Sequence, residues 1–80
     1  GMLPLDIDPK LAWALKFREH FPVDVNRASR EQLLRVPGLG TKAVDRLIRS
    51  RRWRRMTLDD VARLTVSVAK VRPFIVTADW

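Results

Sequence analysis

The sequence predicts an all-α fold of about five short helices, arranged as two similar helix-turn-helix units that follow one further helix. Three observations predict it. Apolar residues recur at three- and four-residue spacing in several short segments. Ser, Thr and Asp stand where these segments begin, as helix caps do. The apolar spacing of one pair of segments is repeated later in the chain. With 80 residues, of which 46% are apolar, we expect one small domain.

The first helix is predicted from a strong start signal and a clear stop. Asp8 is placed as the N-cap and Pro9 as the first helical residue, which suits the fixed backbone angle of proline. The helix is expected to run to about His20, because Pro22 cannot continue it. The predicted organisation is an N-terminal lead-in with this helix, a paired helical domain and a tail, over residues 1–25, 26–76 and 77–80.

The second and third predicted helices enclose a tight turn. Ser29 and Gln32 have the spacing of a capping box, so a helix begins after Ser29 and stops at Pro37-Gly38. The next helix is expected over residues 41–52. Its apolar residues fall on one face at helical spacing, and they are Ala43, Val44, Leu47 and Ile48.

The second unit repeats this apolar spacing without the glycines. Thr57 is the next N-cap signal, and two acidic residues follow it in the first turn, where the helix dipole favours them. After a break at residues 65–67, a last helix is expected to hold Val68, Val71, Phe74 and Ile75. In the repeat, Thr65 and Ser67 stand where the first unit has Gly38 and Gly40. Two such units would bury their apolar faces against each other.

The turn Pro37-Gly38-Leu39-Gly40 has the features of a phosphate-binding site. Glycines supply backbone conformations that side chains resist and leave room for a ligand to approach. The first amides of the following helix have no partner within the helix, so several N–H donors converge on one point. Thr41 and Lys42 would add contacts, and Leu39 would anchor the turn in the core. The alternative is that these residues form only a turn.

The net charge of +7 is concentrated around this turn. Between residues 27 and 55 there are ten basic and two acidic residues, and arginine, whose planar fork suits phosphate oxygens, predominates. The residues predicted to bind a polyanion are Pro37, Gly38, Leu39, Gly40, Thr41, Lys42, Arg46, Arg49, Arg51 and Arg52, with Thr65, Ser67 and Lys70 as weaker candidates. A solvated face that only maintains solubility is the alternative.

The residues around the turn resemble a known DNA-binding motif. Asn26-Arg27-Ala28-Ser29, Leu33 to Gly40, Ala43 and Leu47-Ile48 are similar to the helix-hairpin-helix motif of DNA repair and DNA uptake proteins. The resemblance implies a paired helix-hairpin-helix domain whose second hairpin is degenerate. It implies that hairpin amides at Gly38, Gly40, Thr41 and Lys42 bind backbone phosphates of duplex DNA on the minor-groove side.

A second resemblance covers nearly the whole chain. The segments Pro4–Lys10, Trp13–Leu15, Phe21–Asn26 and Arg72–Ile75 resemble the C-terminal region of bacterial radical SAM proteins of the DNA modification or repair class. This implies that a radical SAM domain with a cysteine-bound iron–sulfur cluster precedes the chain. Gly1 before Met2 resembles a cloning remnant, so we expect a piece of a longer protein. We expect no catalysis and no cofactor in this piece, and delivery of the catalytic domain to DNA.

The remaining residues give weaker expectations. Trp53 lies among four arginines; packing between the two units is favoured, and stacking on a base or sugar is the alternative. His20 and Asp59-Asp60 predict no metal site, and no apolar run reaches the length of a membrane span. A cytoplasmic location is expected. The rival function is a protein-docking module, in which the N-terminal helix and Trp13 contact the missing catalytic domain, and RNA binding is a further alternative.

Overall fold

A computed structural model describes residues 8–80 and is mainly helical, as the sequence predicts. The predicted lead-in over residues 1–7 lies outside this described range. The described helices are α1 (Pro9–Lys16), α2 (Arg30–Leu34), α3 (Thr41–Ser50), α4 (Leu58–Leu64) and α5 (Val68–Val71). Two short 3₁₀ helices cover Arg18–His20 and Arg72–Phe74.

The predicted helix starts are confirmed by their capping geometry. The Asp8 carboxylate accepts a hydrogen bond from the Lys10 amide at 2.9 Å. Ser29 caps α2 as predicted, and Thr57 forms a second capping box with Asp60. Each cap satisfies an amide that the first helical turn leaves without a partner.

The helix ends come earlier than the sequence predicts. The first helix ends at Lys16, and a separate 3₁₀ turn continues to His20. The third helix ends at Ser50 instead of Arg52. The Arg51 amide still donates to the Leu47 carbonyl, four residues earlier, at 2.9 Å, whereas the Arg52 amide donates to the Arg49 carbonyl, three residues earlier, so the chain tightens after Ser50.

The mainly helical structure is compatible with the predicted all-α fold, and it also contains one short parallel strand pair that the sequence did not predict. The strand β1 (Val23–Asp24) lies beside β2 (Ile75–Val76), with Val23 opposite Ile75. The predicted last helix therefore ends at Val71, well before Ile75. Pro73 has no amide proton and its ring obstructs a helical carbonyl, so the chain leaves the α-helix there. Ile75 and Val76, both β-branched, then continue as a strand.

The core joins the two helical units. Its fully buried members come from α2, the turn, α3, α4, α5 and β2, and they include Leu33, Val36, Leu39, Val44, Leu47, Val61, Val71 and Ile75. Arg30 of α2 and Asp45 of α3 form a hydrogen-bonded ion pair at 2.8 Å on the outside of the first unit. The core thus fixes α2 and α3 on either side of the glycine-containing turn.

Two sets of long-range hydrogen bonds support the joints between segments. The Asn26 side-chain amide donates to the Met56 carbonyl at 3.1 Å and accepts from the Met56 amide at 2.7 Å. The Arg51 guanidinium donates to the carbonyls of Val25 and Ala28 at 3.0 and 2.7 Å. The segment before α2 is thereby attached to the segments that follow α3.

Candidate nucleic-acid interface

The turn between α2 and α3 is anchored from inside the protein. Leu39 is 1% exposed, as predicted, and its amide donates to the Val36 carbonyl at 3.1 Å. Pro37 is also buried. These contacts hold the backbone of the turn in one position, so its outward-facing groups are preorganised.

Gly38 is required by the fold itself. Its φ of +91° lies in the region that L-residues with side chains rarely adopt. A Cβ atom added there would come within 2.7 Å of Val71 Cγ2 and 3.2 Å of Lys70 Cβ. Gly38 therefore allows the first hairpin to pack against α5.

Gly40 differs, because nothing within the protein requires it to be glycine. It is the exposed N-cap of α3, with φ −90° and ψ 177°, which any residue can adopt. An added Cβ would meet no atom within 4 Å. The space above Gly40 is therefore open for another molecule to approach the backbone.

Amide donors surround this open space. The first hydrogen bond of α3 runs from the Val44 amide to the Gly40 carbonyl at 2.9 Å. Among residues 8–80, the amides of Gly40, Thr41 and Lys42 have no backbone or side-chain acceptor, and all three residues are exposed. Together with the positive end of the α3 dipole, these free donors suit an anionic oxygen.

Lys10, for which the sequence analysis predicts no functional role, adds a positive charge at the turn. Its ammonium group donates a hydrogen bond to the carbonyl of Leu39. Burial lowers the pKa of Lys10, and the nearby Asp8 carboxylate opposes that shift. Only the packing of α1 against the turn, which a local sequence pattern does not specify, places this side chain there.

A basic stripe runs from the turn along α3. Lys42, Arg46 and Arg49 are spaced by four and three residues and so share one face of the helix. All three are exposed, and none forms an ion pair within the described part of the chain. The neighbouring Asp45 is held by Arg30, whose hydrogen bond lowers the pKa of that carboxyl. This set is called the α3 stripe below.

The two arginines after α3 are placed differently from each other. Arg51 is half-buried, and its guanidinium donates to the carbonyls of Val25 and Ala28. Arg52 is exposed in the following turn. Arg51 therefore joins segments of the fold, whereas Arg52 is exposed just after α3, where the α3 stripe ends.

The second hairpin does not reproduce the first. Thr65 and Ser67 are half-buried, and the Thr65 hydroxyl is buried without a hydrogen-bond partner among the described residues. Val66 is fully exposed, although the repeat aligns it with the buried Leu39. Lys70 is exposed, with its Cβ beside Gly38. The helix that follows this turn has four residues and no side-chain cap.

Trp53 corrects a favoured expectation. It does not pack between the two units, because its side chain is 85% exposed. It borders a shallow depression of about 240 Å³ that is also lined by Arg46, Arg49, Ser50 and Leu64. Met56, three residues further along, is instead the buried residue of this segment; it is 2% exposed and belongs to the core.

Searches for similar proteins and for other site types add no competing assignment. Comparisons with models of protein families, with curated proteins and with solved structures give no match. Within residues 8–80, no three His, Asp or Glu side chains lie close enough together to hold a metal ion. Over the same range, no helix has both the length and the apolar character needed to cross a bilayer. The two family resemblances stay predictions from the sequence.

Proposed function

We propose that this chain binds the sugar-phosphate backbone of DNA without reading its sequence. The observation that carries the proposal is Gly40, which is exposed, has open space above it and lies among three unpaired amides at the start of α3. The fold does not need glycine at this position, whereas a phosphate approaching the amides does. Contacts to phosphates position a protein on DNA but carry no sequence information.

The charge distribution supports a polyanionic ligand. The α3 stripe begins beside the turn and faces solvent without acidic partners among the described residues. One phosphate at the turn and two along the stripe would be neutralised by Lys42, Arg46 and Arg49. Neutralising about three phosphates of duplex DNA gives a log–log dependence of affinity on salt with a slope of about −3.

A salt titration tests the electrostatic part of this proposal. Fluorescence anisotropy with a labelled random-sequence duplex is expected to give the slope of about −3, unchanged for a second unrelated sequence. Replacing Arg46 or Arg49 by Ala should reduce the slope by about 1 each. Arg18→Ala is the matched control, because Arg18 is equally exposed but lies after α1. An affinity that does not change with salt would contradict the proposal.

A bulky residue at Gly40 tests the turn itself. Gly40→Leu places a side chain in the open space over the amides, so we expect at least a tenfold loss of duplex affinity with retained helical circular dichroism. Ala78→Leu adds a similar side chain to an exposed position after β2 and should leave affinity unchanged. Full binding by a folded Gly40→Leu protein would mean that the charged face acts alone.

The resemblance to radical SAM proteins extends this proposal to a longer protein. In that case the chain would deliver a preceding catalytic domain to DNA, and the chain itself would carry out no reaction. The reading frame upstream of Met2 tests this directly, since a cluster-binding cysteine triad is expected there. A reading frame without such cysteines would separate the DNA-binding proposal from the proposed parent enzyme.

A second candidate function is docking to a protein, favoured by one apolar surface. A cleft of about 430 Å³ between α1 and the second unit is lined mainly by apolar side chains, among them Leu11, Pro37 and Phe74. Its lining comes from α1, α5, the 3₁₀ helix Arg72–Phe74 and Pro37 of the turn, and no residue of α3 lines it. A failure to shift any DNA in low salt, combined with binding to the purified catalytic domain, would favour docking.

A further inference from the structure

Trp53 presents a large aromatic surface to solvent at the end of the α3 stripe. Its 85% exposure is unusual for a side chain that gains much from burial. The depression beside it is lined by two arginines and by Ser50 and Leu64, with no acidic side chain among its lining residues. An exposed ring next to unpaired guanidinium groups is a combination that suits a ligand with a flat apolar face and a negative charge.

The depression lies at the C-terminal end of the α3 stripe. Lys42, Arg46 and Arg49 lie on one face of α3, and Trp53 follows Arg49 by four residues, just beyond the helix end. From Lys42 to Arg49 the helix rises by about 10 Å, at 1.5 Å per residue. That distance corresponds to about three stacked nucleotides of one strand, at 3.4 Å each. One strand could therefore contact the turn, the stripe and Trp53 in succession.

We propose that Trp53 and the depression formed with Arg46 and Arg49 hold an unpaired nucleotide of DNA. The base stacks on the indole ring, and its phosphate is bound by the guanidinium groups. The proposal rests on the DNA binding proposed above and narrows its substrate to DNA in which a single-stranded segment adjoins a duplex. Inside a duplex both faces of each base are covered by neighbouring bases, so a base must lie in a single-stranded segment to stack on an external indole while its phosphate reaches the guanidinium groups.

The test compares three DNA ligands and two variants. The ligands are a blunt duplex, the same duplex with a five-nucleotide single-stranded overhang, and a thymidine oligonucleotide. The wild-type protein should prefer the overhang duplex to the blunt one. Trp53→Ala should lose about tenfold in affinity for the overhang and the oligonucleotide, and less than twofold for the blunt duplex. Trp53→Phe keeps a stacking ring and should retain most of the preference.

Trp80→Ala is the matched control for loss of an aromatic residue. Trp80 is 49% exposed, but its ring lies 4.0 Å from the Arg72 guanidinium and its indole N–H donates to the Arg72 carbonyl at 3.2 Å. Because the Trp80 ring already packs on Arg72 within the protein, its removal should not change the preference for the overhang duplex. Tryptophan fluorescence gives a second readout, since the thymidine oligonucleotide should quench wild type and Trp80→Ala but not Trp53→Phe.

The outcomes separate this inference from the proposed function. If the wild type binds no DNA, both proposals are overturned. If it binds all three ligands, and Trp53→Ala either retains them all or weakens all equally, the unpaired-nucleotide site is overturned while backbone binding stands. Circular dichroism of each variant establishes that it is folded, which the exposure of Trp53 leads us to expect.

Discussion

Replacing Gly38 by alanine is expected to destabilise the protein by about 1–5 kcal/mol. The left-handed conformation costs an alanine about 1–2 kcal/mol, and φ at Gly38 is +91°. The added Cβ would overlap Val71 Cγ2 at 2.7 Å, and such overpacking costs about 1–3 kcal/mol. The lower entropy of an unfolded chain with alanine returns about 0.4–1 kcal/mol.

Thermal unfolding followed by circular dichroism measures this loss. A domain of this size changes its Tm by about 4–8 °C per kcal/mol, so Gly38→Ala should melt at least about 4 °C below wild type. Gly40→Ala is the matched control: its backbone angles are ordinary and its Cβ has open space. The weaker N-cap and the lower unfolded-state entropy nearly cancel there, leaving a change within about 0.5 kcal/mol. A Gly38→Ala protein that melts within 3 °C of wild type, or a pair of variants that lose equal stability, would refute the reasoning.

Three further substitutions test other contacts. The amide of Thr57 donates to the Asp60 carboxylate and holds the pKa of that carboxyl below its ordinary value. The stability that this carboxylate contributes is therefore present above its pKa in the unfolded chain, and it is lost as the pH falls through its lower pKa in the folded protein. Asp60→Asn should lower the free energy of unfolding by about 1 kcal/mol at pH 7 and reduce its dependence on pH below about pH 4. Urea unfolding in which wild type and variant lose stability in parallel as the pH falls would contradict this. Asn26→Ala leaves both backbone groups of Met56 without their partner and should cost about 1–3 kcal/mol in urea unfolding, with a smaller loss for Asn26→Asp, which keeps the acceptor. Lys10→Met removes a charge beside the hairpin carbonyl and should weaken duplex binding and reduce its salt slope, whereas an unchanged slope would exclude Lys10 from the interface.

Helix starts could be predicted from the sequence because their causes are local. Asp8, Ser29 and Thr57 each accept from an amide two or three residues later, so a short window of sequence contains both partners. The burial of Leu39 also follows from its place between two amphipathic segments. These signals were enough to predict the two helical units and the turn that separates α2 from α3.

The features that were missed depend on distant parts of the chain. The strand pair joins Val23 to Ile75, and each strand has only two residues, which is too short for an alternating pattern to be recognised. Lys10 reaches the carbonyl of Leu39, and Arg51 reaches that of Val25, through packing that no local spacing encodes. The exposure of Trp53 has the same origin, because Met56, and not Trp53, is the side chain of this segment that enters the core.

The different roles of the two glycines could not be separated in the sequence. Both stand in one four-residue turn, and both have the small size that a ligand-binding turn needs. Only the approach of Val71 to position 38, and the empty space at position 40, distinguish a glycine that the fold requires from one that it does not. Replacing both glycines in one variant would therefore measure a loss of folding together with any loss of binding.

The parallel strand pair determines how this domain can open. Because β1 precedes the first helical unit and β2 follows the second, the pair closes the intervening chain into a loop, and the Val25 amide extends it by donating to the Val76 carbonyl at 3.1 Å. If either helical unit unfolds alone, it also loses the contacts that the strand pair holds in place. Local opening events are therefore expected to merge into one cooperative transition, in which amides of both units exchange their protons with solvent at similar rates. The two hairpins, though unequal in sequence, behave as a single folding unit.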